Sequence, residues 1–289
     1  MSDDHRRLPD GLVRVMITLP ANRSAVWRAI TEPSAVTAWF GTLTEPVTPG
    51  AAVRLDFDDG DYFDVVGDSL IPLRRLAYRW RFLGVGPEAR ITWQLSSSMD
   101  GTVIVLDDHA EGRPASEVTQ LKAGWLDFLE RLDRYLTTGE PARYGWRSLI
   151  DGGVQLPANR EGWRPLRGHT VTDWMPIATE GTDPRWFFVV DDDGPRRFAI
   201  RDWDLTVDRS LSFAVAIPQA RATTRCAVTT TPTDDSGRLL LNISHDGWTD
   251  LGLADLRARG LRHRFAAAWA EALRMAAAHA DRPVNRGSR

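Results

Sequence analysis

Cysteine is almost absent: the 289 residues contain one, Cys226. That excludes an intramolecular disulfide framework and any cysteine-cluster metal site. Lysine is as scarce. Of 36 basic residues only Lys122 is lysine, and the others are arginine. No apolar run approaches the roughly 20 residues of a membrane-spanning helix, and mean hydropathy is −0.30. The opening MSDDHRRLPDG is charged and has no apolar stretch, which predicts no secretory leader. With the single thiol this predicts a cytoplasmic setting. Net charge is −3, so bulk electrostatics gives no reason for a nucleic-acid partner. Gly84-Val85-Gly86 lacks a third glycine at dinucleotide spacing and sits in no βαβ unit, which excludes a phosphate loop of that type. The six histidines are scattered without zinc-ligand spacing. No metal and no other cofactor is expected.

What the chain does have is tryptophan, 12 in all, and an internal repeat. Leu19-Pro20-Ala21-Asn22-Arg23 recurs as Leu156-Pro157-Ala158-Asn159-Arg160, 137 positions later. Trp27-Arg28 recurs as Trp163-Arg164 at 136, and Thr37 and Trp39 as Thr172 and Trp174 at 135. Phe63 and Leu76 meet Phe198 and Leu211 at 135, while Gly101 and His109 meet Gly237 and His245 at 136. After an insertion, Leu121, Trp125 and Leu129 meet Phe265, Trp269 and Leu273 at 144. A period of this size is a duplicated domain and not a solenoid unit. The copies are assigned to residues 11–140 and 147–281, the second more degenerate.

Each copy opens on an alternating strand: Val13, Val15, Ile17 and Leu19 in the first, and the poorer Leu149 to Leu156 in the second. Asn22 can cap a helix over Arg23 to Ile30, ended by Pro33, with another over Ser34 to Phe40. Gly162 and Pro165 predict a short or distorted counterpart in the second copy. Strands are predicted over Ala52 to Phe57, Tyr62 to Ser69, Arg75 to Phe82, Arg90 to Ser97 and Thr102 to His109. The short turns between them favour an antiparallel meander. Asp191-Asp192-Asp193-Gly194 reads as a hairpin turn. A helix over Ser116 to Thr137 closes the first copy, with Leu121, Trp125, Phe128, Leu132 and Tyr135 on one stripe. Leu261, Phe265, Ala268, Ala272 and Met275 repeat those steps in the second.

The stretch Val26-Trp27-Arg28-Ala29-Ile30-Thr31-Glu32-Pro33 through Trp39-Phe40 resembles the opening of activator-of-Hsp90-ATPase-homologue-like domains, members of the START/Bet v 1-like (SRPBCC) superfamily. Leu76-Ala77-Tyr78-Arg79-Trp80 is similar to their central strand. Thr102 to Leu106 with His109 is similar to their last strand, and Gly124-Trp125 with Leu132 and Tyr135-Leu136 to their closing helix. The resemblance implies an α+β fold: two tandem helix-grip domains, each a curved antiparallel sheet around a long C-terminal helix. Together they would form an internal pseudo-dimer within a monomer. It also implies a ligand cavity between sheet and helix.

That cavity directs the choice of site residues. Trp39, Phe63, Tyr78, Trp80, Phe82, Trp93, Trp125 and Phe128 are the first-copy candidates to contact a ligand. Trp174, Phe198, Trp203, Phe213 and Trp269 are those of the second. Ala272 and Ala276 stand where the first copy has Phe128 and Leu132, which predicts a roomier second cavity or one filled by sheet aromatics such as Trp203. No residue is assigned to catalysis. His109 and His245, taken as equivalent strand-end positions, are candidate acids or bases, but neighbours on a strand face opposite ways and form no triad. Cys226 reads as a small buried hydrophobe, and most arginines read as solvated.

A non-enzymatic binder of a hydrophobic or aromatic small molecule, such as a natural product, fits this inventory. The resemblance extends to START-domain self-resistance proteins of enediyne producers, which sequester the drug or are cleaved by it. Gly84, Gly86 and Gly124 are candidate cleavage positions. A polyketide aromatase or cyclase using His109, His245, Tyr78 or Arg79 is the alternative, and a chaperone-binding module a third. No nucleic acid or membrane partner is expected.

Overall fold

The computed structural model describes residues 9–158, 164–180, 183–191, 194–233 and 237–280. The chain forms two compact units. One holds the chain up to Phe57 with Tyr62–Arg81 and Glu88–Gly145. The other holds Asp58–Asp61, Phe82–Pro87 and the chain from Trp146 onward.

The first half runs β1 (Leu12–Leu19), α1 (Arg23–Thr31), α2 (Pro33–Trp39), β2 (Thr42–Leu43), β3 (Ala52–Asp56), β4 (Tyr62–Ile71), β5 (Arg75–Phe82), β6 (Glu88–Ser98), β7 (Gly101–His109) and α3 (Ala115–Thr138). Asn22 caps α1 by accepting from the Ala25 N–H at 2.9 Å, and Pro33 opens α2, where its missing N–H costs nothing. The second half runs β8 (Ile150–Pro157), β9 (Ile177–Glu180), β10 (Asp183–Asp191), β11 (Gly194–Thr206), β12 (Ser210–Ala216), β13 (Thr223–Pro232), β14 (Arg238–Asp246) and α4 (Asp255–Ala280). In place of α1 and α2 it has two 3₁₀ turns, Arg164–Leu166 and Gly168–Asp173. Gly162 lies outside the described residues. Pro165 sits inside the first turn, where an α-helix would need its N–H.

The two curled sheets share one wiring. The first has strand order β1-β7-β6-β5-β4-β3-β2 and the second β8-β14-β13-β12-β11-β10-β9. A meander whose first strand returns beside its last is the helix-grip topology. One edge of each sheet is short, two residues in β2 and four in β9, which limits pairing there; the other edge, β1 or β8, runs eight residues. Asp191 pairs with Gly194 across β10 and β11; Asp192 and Asp193, of the anticipated turn, lie outside the described residues.

Each closing helix covers its own sheet with the face that the spacing predicts, with two corrections on α4, where Ala268 is only half-buried beside fully buried Trp269 and Met275 is exposed. Trp125, Leu129 and Leu132 of α3 are buried. On α4 the buried face runs through Leu261, Phe265, Trp269, Ala272 and Ala276, and Met275 is exposed. Met275 lies one position off the true stripe. Within the second unit, Arg262 of α4 is fully buried. It donates to the Asp59 carbonyl at 2.6 Å and the Leu149 carbonyl at 2.6 Å, and pairs with Asp61 at 2.9 Å. The acidic turn at 58–61 is therefore an internal counter-charge. A buried cation without such partners would be unaffordable.

The β6–β7 hairpin shows why one repeated glycine is obligatory and its counterpart is not. Gly101 has φ +129°, and a Cβ there would lie 2.1 Å from the Leu19 carbonyl oxygen. Around Gly237 a Cβ would meet nothing within 4 Å. Gly101→Ala is expected to lower stability by about 2–4 kcal/mol in urea unfolding, and Gly237→Ala by under about 0.5 kcal/mol. Equal effects would refute this account.

Candidate functional site

In the first unit the space between sheet and α3 is packed with the protein's own rings. Trp80 lies between Phe63, stacked at 3.9 Å, and Trp125, stacked at 5.5 Å. Trp93 meets Trp125 edge-on at 5.7 Å and Trp39 at 6.4 Å. Phe40 stacks on Trp39 at 5.0 Å and meets Phe128 edge-on at 4.5 Å. Tyr78 completes the group, 5.8 Å from Trp80. It accepts from the Trp93 indole N–H at 3.3 Å, and burial pushes its phenol pKa up. Seven of the eight first-copy candidates thus meet in one cluster, which also includes Phe40, Phe57 and Tyr144. The eighth, Phe82, belongs to the second unit, where the Arg147 guanidinium lies 5.7 Å from its ring. The cavity that remains, bordered by Trp39, Tyr78 and Trp93, measures about 30 Å³. That is the space of one water molecule.

The second unit is filled in the same manner but by other residues. Phe187 stacks on Phe265 at 5.1 Å and lies 5.4 Å from Trp269. Phe213 is 6.2 Å from Phe187. Ala272 and Ala276 are fully buried, so their small size gives closer packing instead of room. Trp203 is only half-buried. A register shift between Arg201 and Asp204 carries it beside Phe213, stacked at 5.4 Å. Trp174 is an anchor: its indole donates to the Pro165 carbonyl at 2.8 Å, as Trp39 does to the Ala29 carbonyl at 2.8 Å.

Polar groups on the closing side hold the helices. The Trp125 indole donates to Asp108 Oδ2 at 2.9 Å, and Arg113 donates to Asp108 Oδ1 at 2.6 Å. In the second unit the Trp269 indole donates to His245 Nδ1 at 3.0 Å, and His245 Nε2 lies 2.7 Å from Thr224 Oγ1. An indole N–H only donates, so Nδ1 is bare and the proton sits on Nε2. The partner of His245 in the repeat is therefore Asp108. His109, the expected one, is exposed. The register agrees: Asp108 pairs with Val13 and Ile91, and His245 with Ile150 and Cys226. The strand neighbours do face opposite ways, since Asp107 pairs with Arg14 at 2.6 Å on the outer face and Asp246 is exposed. Cys226 is buried, and burial drives its thiol pKa well up.

A larger space lies on the flank of the second unit. A groove of about 500 Å³ runs between β11, the segment after β12 and the start of α4. Phe198, Ile217, Pro218 and Leu261 supply apolar lining, and Arg196, Arg197, Arg257 and Arg264 supply charge. Phe198 is the one anticipated ligand residue that lines it. Gly260 is the glycine that lines it, not Gly84, Gly86 or Gly124. The sequence does carry its signal: Arg257 and Arg264 are seven apart on α4, with Leu261 and Gly260 on the turns between, so one helix face presents them all. Among the described residues no cluster of three or more His, Cys, Asp or Glu is placed to hold a metal ion. No helix among them is long and apolar enough to cross a membrane.

Burial, and next to it the Arg262 charge, lower the His245 pKa from 6.5 to about 3. The folded state therefore holds the neutral ring while the unfolded chain takes up a proton below pH 6.5. Stability attributable to this site is intact above that pH and is lost as pH falls toward 3, at about 1.4 kcal/mol per pH unit. In His245→Gln, urea-unfolding free energies measured from pH 7 to pH 4.5 should lack this component. A slope equal to that of the parent chain would show that His245 is not the group responsible.

A family model described as activator of Hsp90 ATPase homolog 1-like protein matches residues 20–137. Among solved structures the chain is similar to DynU16, a protein of the dynemicin biosynthetic locus: 55% identity, TM-score 0.88, covering 94% of this chain and all of that one. Protein MLL2253 from Mesorhizobium loti shows 23% identity over 44% of this chain and 96% of its own, with a TM-score of 0.41. CalU16 from Micromonospora echinospora shows 22% identity over 44% of this chain and 76% of its own, with a TM-score of 0.35. No curated protein matches the chain. With the same seven-stranded wiring and closing helix present twice, the first half carries an activator of Hsp90 ATPase homolog 1-like domain, and the whole chain belongs with DynU16 as a tandem helix-grip protein.

Proposed function

We propose that this protein binds an aromatic natural product without transforming it, and that the flank groove of the second unit is where it does so. The observation that carries the reading is the contrast in space. The groove offers about 500 Å³, within the range of small-molecule sites, against about 30 Å³ in the cavity bordered by Trp39, Tyr78 and Trp93. The chemistry of the interior supports the same reading. Asp108 and His245 are buried and engaged by indole, guanidinium and hydroxyl partners. A histidine held neutral down to about pH 3 is poorly suited to acid–base exchange near neutrality. The likeness to a protein of the dynemicin locus favours a polyketide-derived ligand, and within that class an enediyne held stoichiometrically.

Gly260 provides the test. It lies on α4 in the groove, and a Cβ there meets nothing within 4 Å. Gly260→Leu should fill the groove while removing a glycine from a helix, worth about 1 kcal/mol in favour of folding. Titration with the uncharged dye N-phenyl-1-naphthylamine should show one site in the parent chain. Binding should be at least about tenfold weaker in the variant, with an equal or higher thermal midpoint. An undiminished affinity in the folded variant would move the site elsewhere, and no binding to the parent would reject the reading.

A further inference from the structure

The groove is more than an apolar slot. Four of its ten lining residues are arginines, Arg196 and Arg197 on β11 and Arg257 and Arg264 on α4, and none is acidic. This stands against a whole chain of net charge −3, so the local excess of positive charge is not a reflection of composition. Arg257 is held by neutral acceptors, Gln219 Oε1 at 2.7 Å and the Pro218 carbonyl at 3.4 Å. These orient the guanidinium without cancelling its charge. Arg197, next to Arg196 on β11, turns its guanidinium to the other sheet face, 4.7 Å from the Trp186 ring, so Arg196, Arg257 and Arg264 are the arginines that carry the groove's charge. Leu256, beside Arg257, is 83% exposed, an apolar side chain left at the rim.

We infer that this groove selects an anionic aromatic ligand, one whose rings lie along Phe198, Leu256 and Leu261 while a carboxylate or similar acid group meets the arginines. This rests on the reading of the groove as the binding site and adds the ligand's charge to it. Arginine suits the role because its planar fork matches a carboxylate with two donors and is weakly hydrated. A low-polarity floor beside it raises the value of the contact over one in open water. The same walls without charge would accept any ring system of the right size. The charge is what narrows the class.

Two dyes with the same rings separate the two claims in the full chain: 1-anilinonaphthalene-8-sulfonate, an anion, and N-phenyl-1-naphthylamine, which lacks the acid. The anion is expected to bind at one site per chain at least tenfold more tightly than the neutral dye at low salt. That ratio should shrink toward one at 1 M salt, where the screening length falls to about 3 Å. Arg257→Gln and Arg196→Gln, both at exposed positions, should each cut the ratio at least threefold by weakening the anion more than the neutral dye. Equal affinity for both dyes, with both lost in Gly260→Leu, would overturn the charge selection and leave the site intact. Anion binding unaltered in both arginine variants would overturn it as well. Binding of the neutral dye without the anion would overturn the charge selection alone, and failure of both dyes to bind the parent chain would bring down both readings. Co-sedimentation with phosphatidylglycerol vesicles, lost in Arg257→Gln and without dye binding, would reassign the groove to a lipid surface.

Discussion

A tryptophan N–H, aimed from the closing helix at the inner end of the last long strand, sets the register of each unit. In one the acceptor is Asp108 and in the other His245. A helix lying across an apolar sheet has many nearly equivalent positions, because burial is non-directional. A buried donor that must find a partner, at a penalty of roughly 1–3 kcal/mol if it does not, removes that freedom. With Trp125 fixed, its ring can close the stack on Trp80 and Phe63, and Trp93 can meet it edge-on. With Trp269 fixed, Phe187 and Phe265 come into contact.

The price of the clamp differs between copies. Asp108 sits beside Arg113, whose two amino groups reach the carboxylate and two main-chain carbonyls. His245 makes no ion pair; burial and the nearby Arg262 charge keep its ring neutral, and Thr224 is its other partner. The two solutions serve one geometry with opposite electrostatics, a charged pair in one copy and uncharged groups in the other. A duplicated chain can drift in this way because the indole asks only for an acceptor.

Strand order, the two long helices and most of the aromatic cluster are legible in the sequence because period-2 and period-3.6 patterns state which side of an element is buried. The pentapeptide repeat at Leu19 and Leu156 marks the ends of β1 and β8. The histidine correspondence fails for a specific reason. Matching identical letters pairs His109 with His245, whereas the strand pleat pairs Asp108 with His245, one residue earlier. Reading the inward positions Thr102, Ile104, Leu106 and Asp108 in sequence would have exposed a carboxylate among apolar neighbours. Trp203 reaches Phe213 through a bulge that adds residues between Arg201 and Asp204, and alternation cannot count through a bulge. The cavity is harder still. A list of inward aromatics says what lines a space but not whether the rings themselves occupy it, since that depends on side-chain volumes summed across three elements.

Filling both interiors with rings has a consequence for where evolution can place recognition. Close packing makes a core intolerant of inserted volume, so a ligand of several rings cannot enter between Trp80 and Trp125 without displacing a stack that helps hold the helix. The outward-facing positions at the start of α4 are under no such constraint. Leu256 and Arg257 are exposed, and Gly260 has open space around it. Side chains there can change without breaking the Trp269–His245 clamp two turns further along. The arginines of the groove lie on that unconstrained stretch and on the facing strand. On the proposed reading, separating the residues that hold the fold from those that meet a ligand would let the second unit vary its ligand while both units keep one architecture.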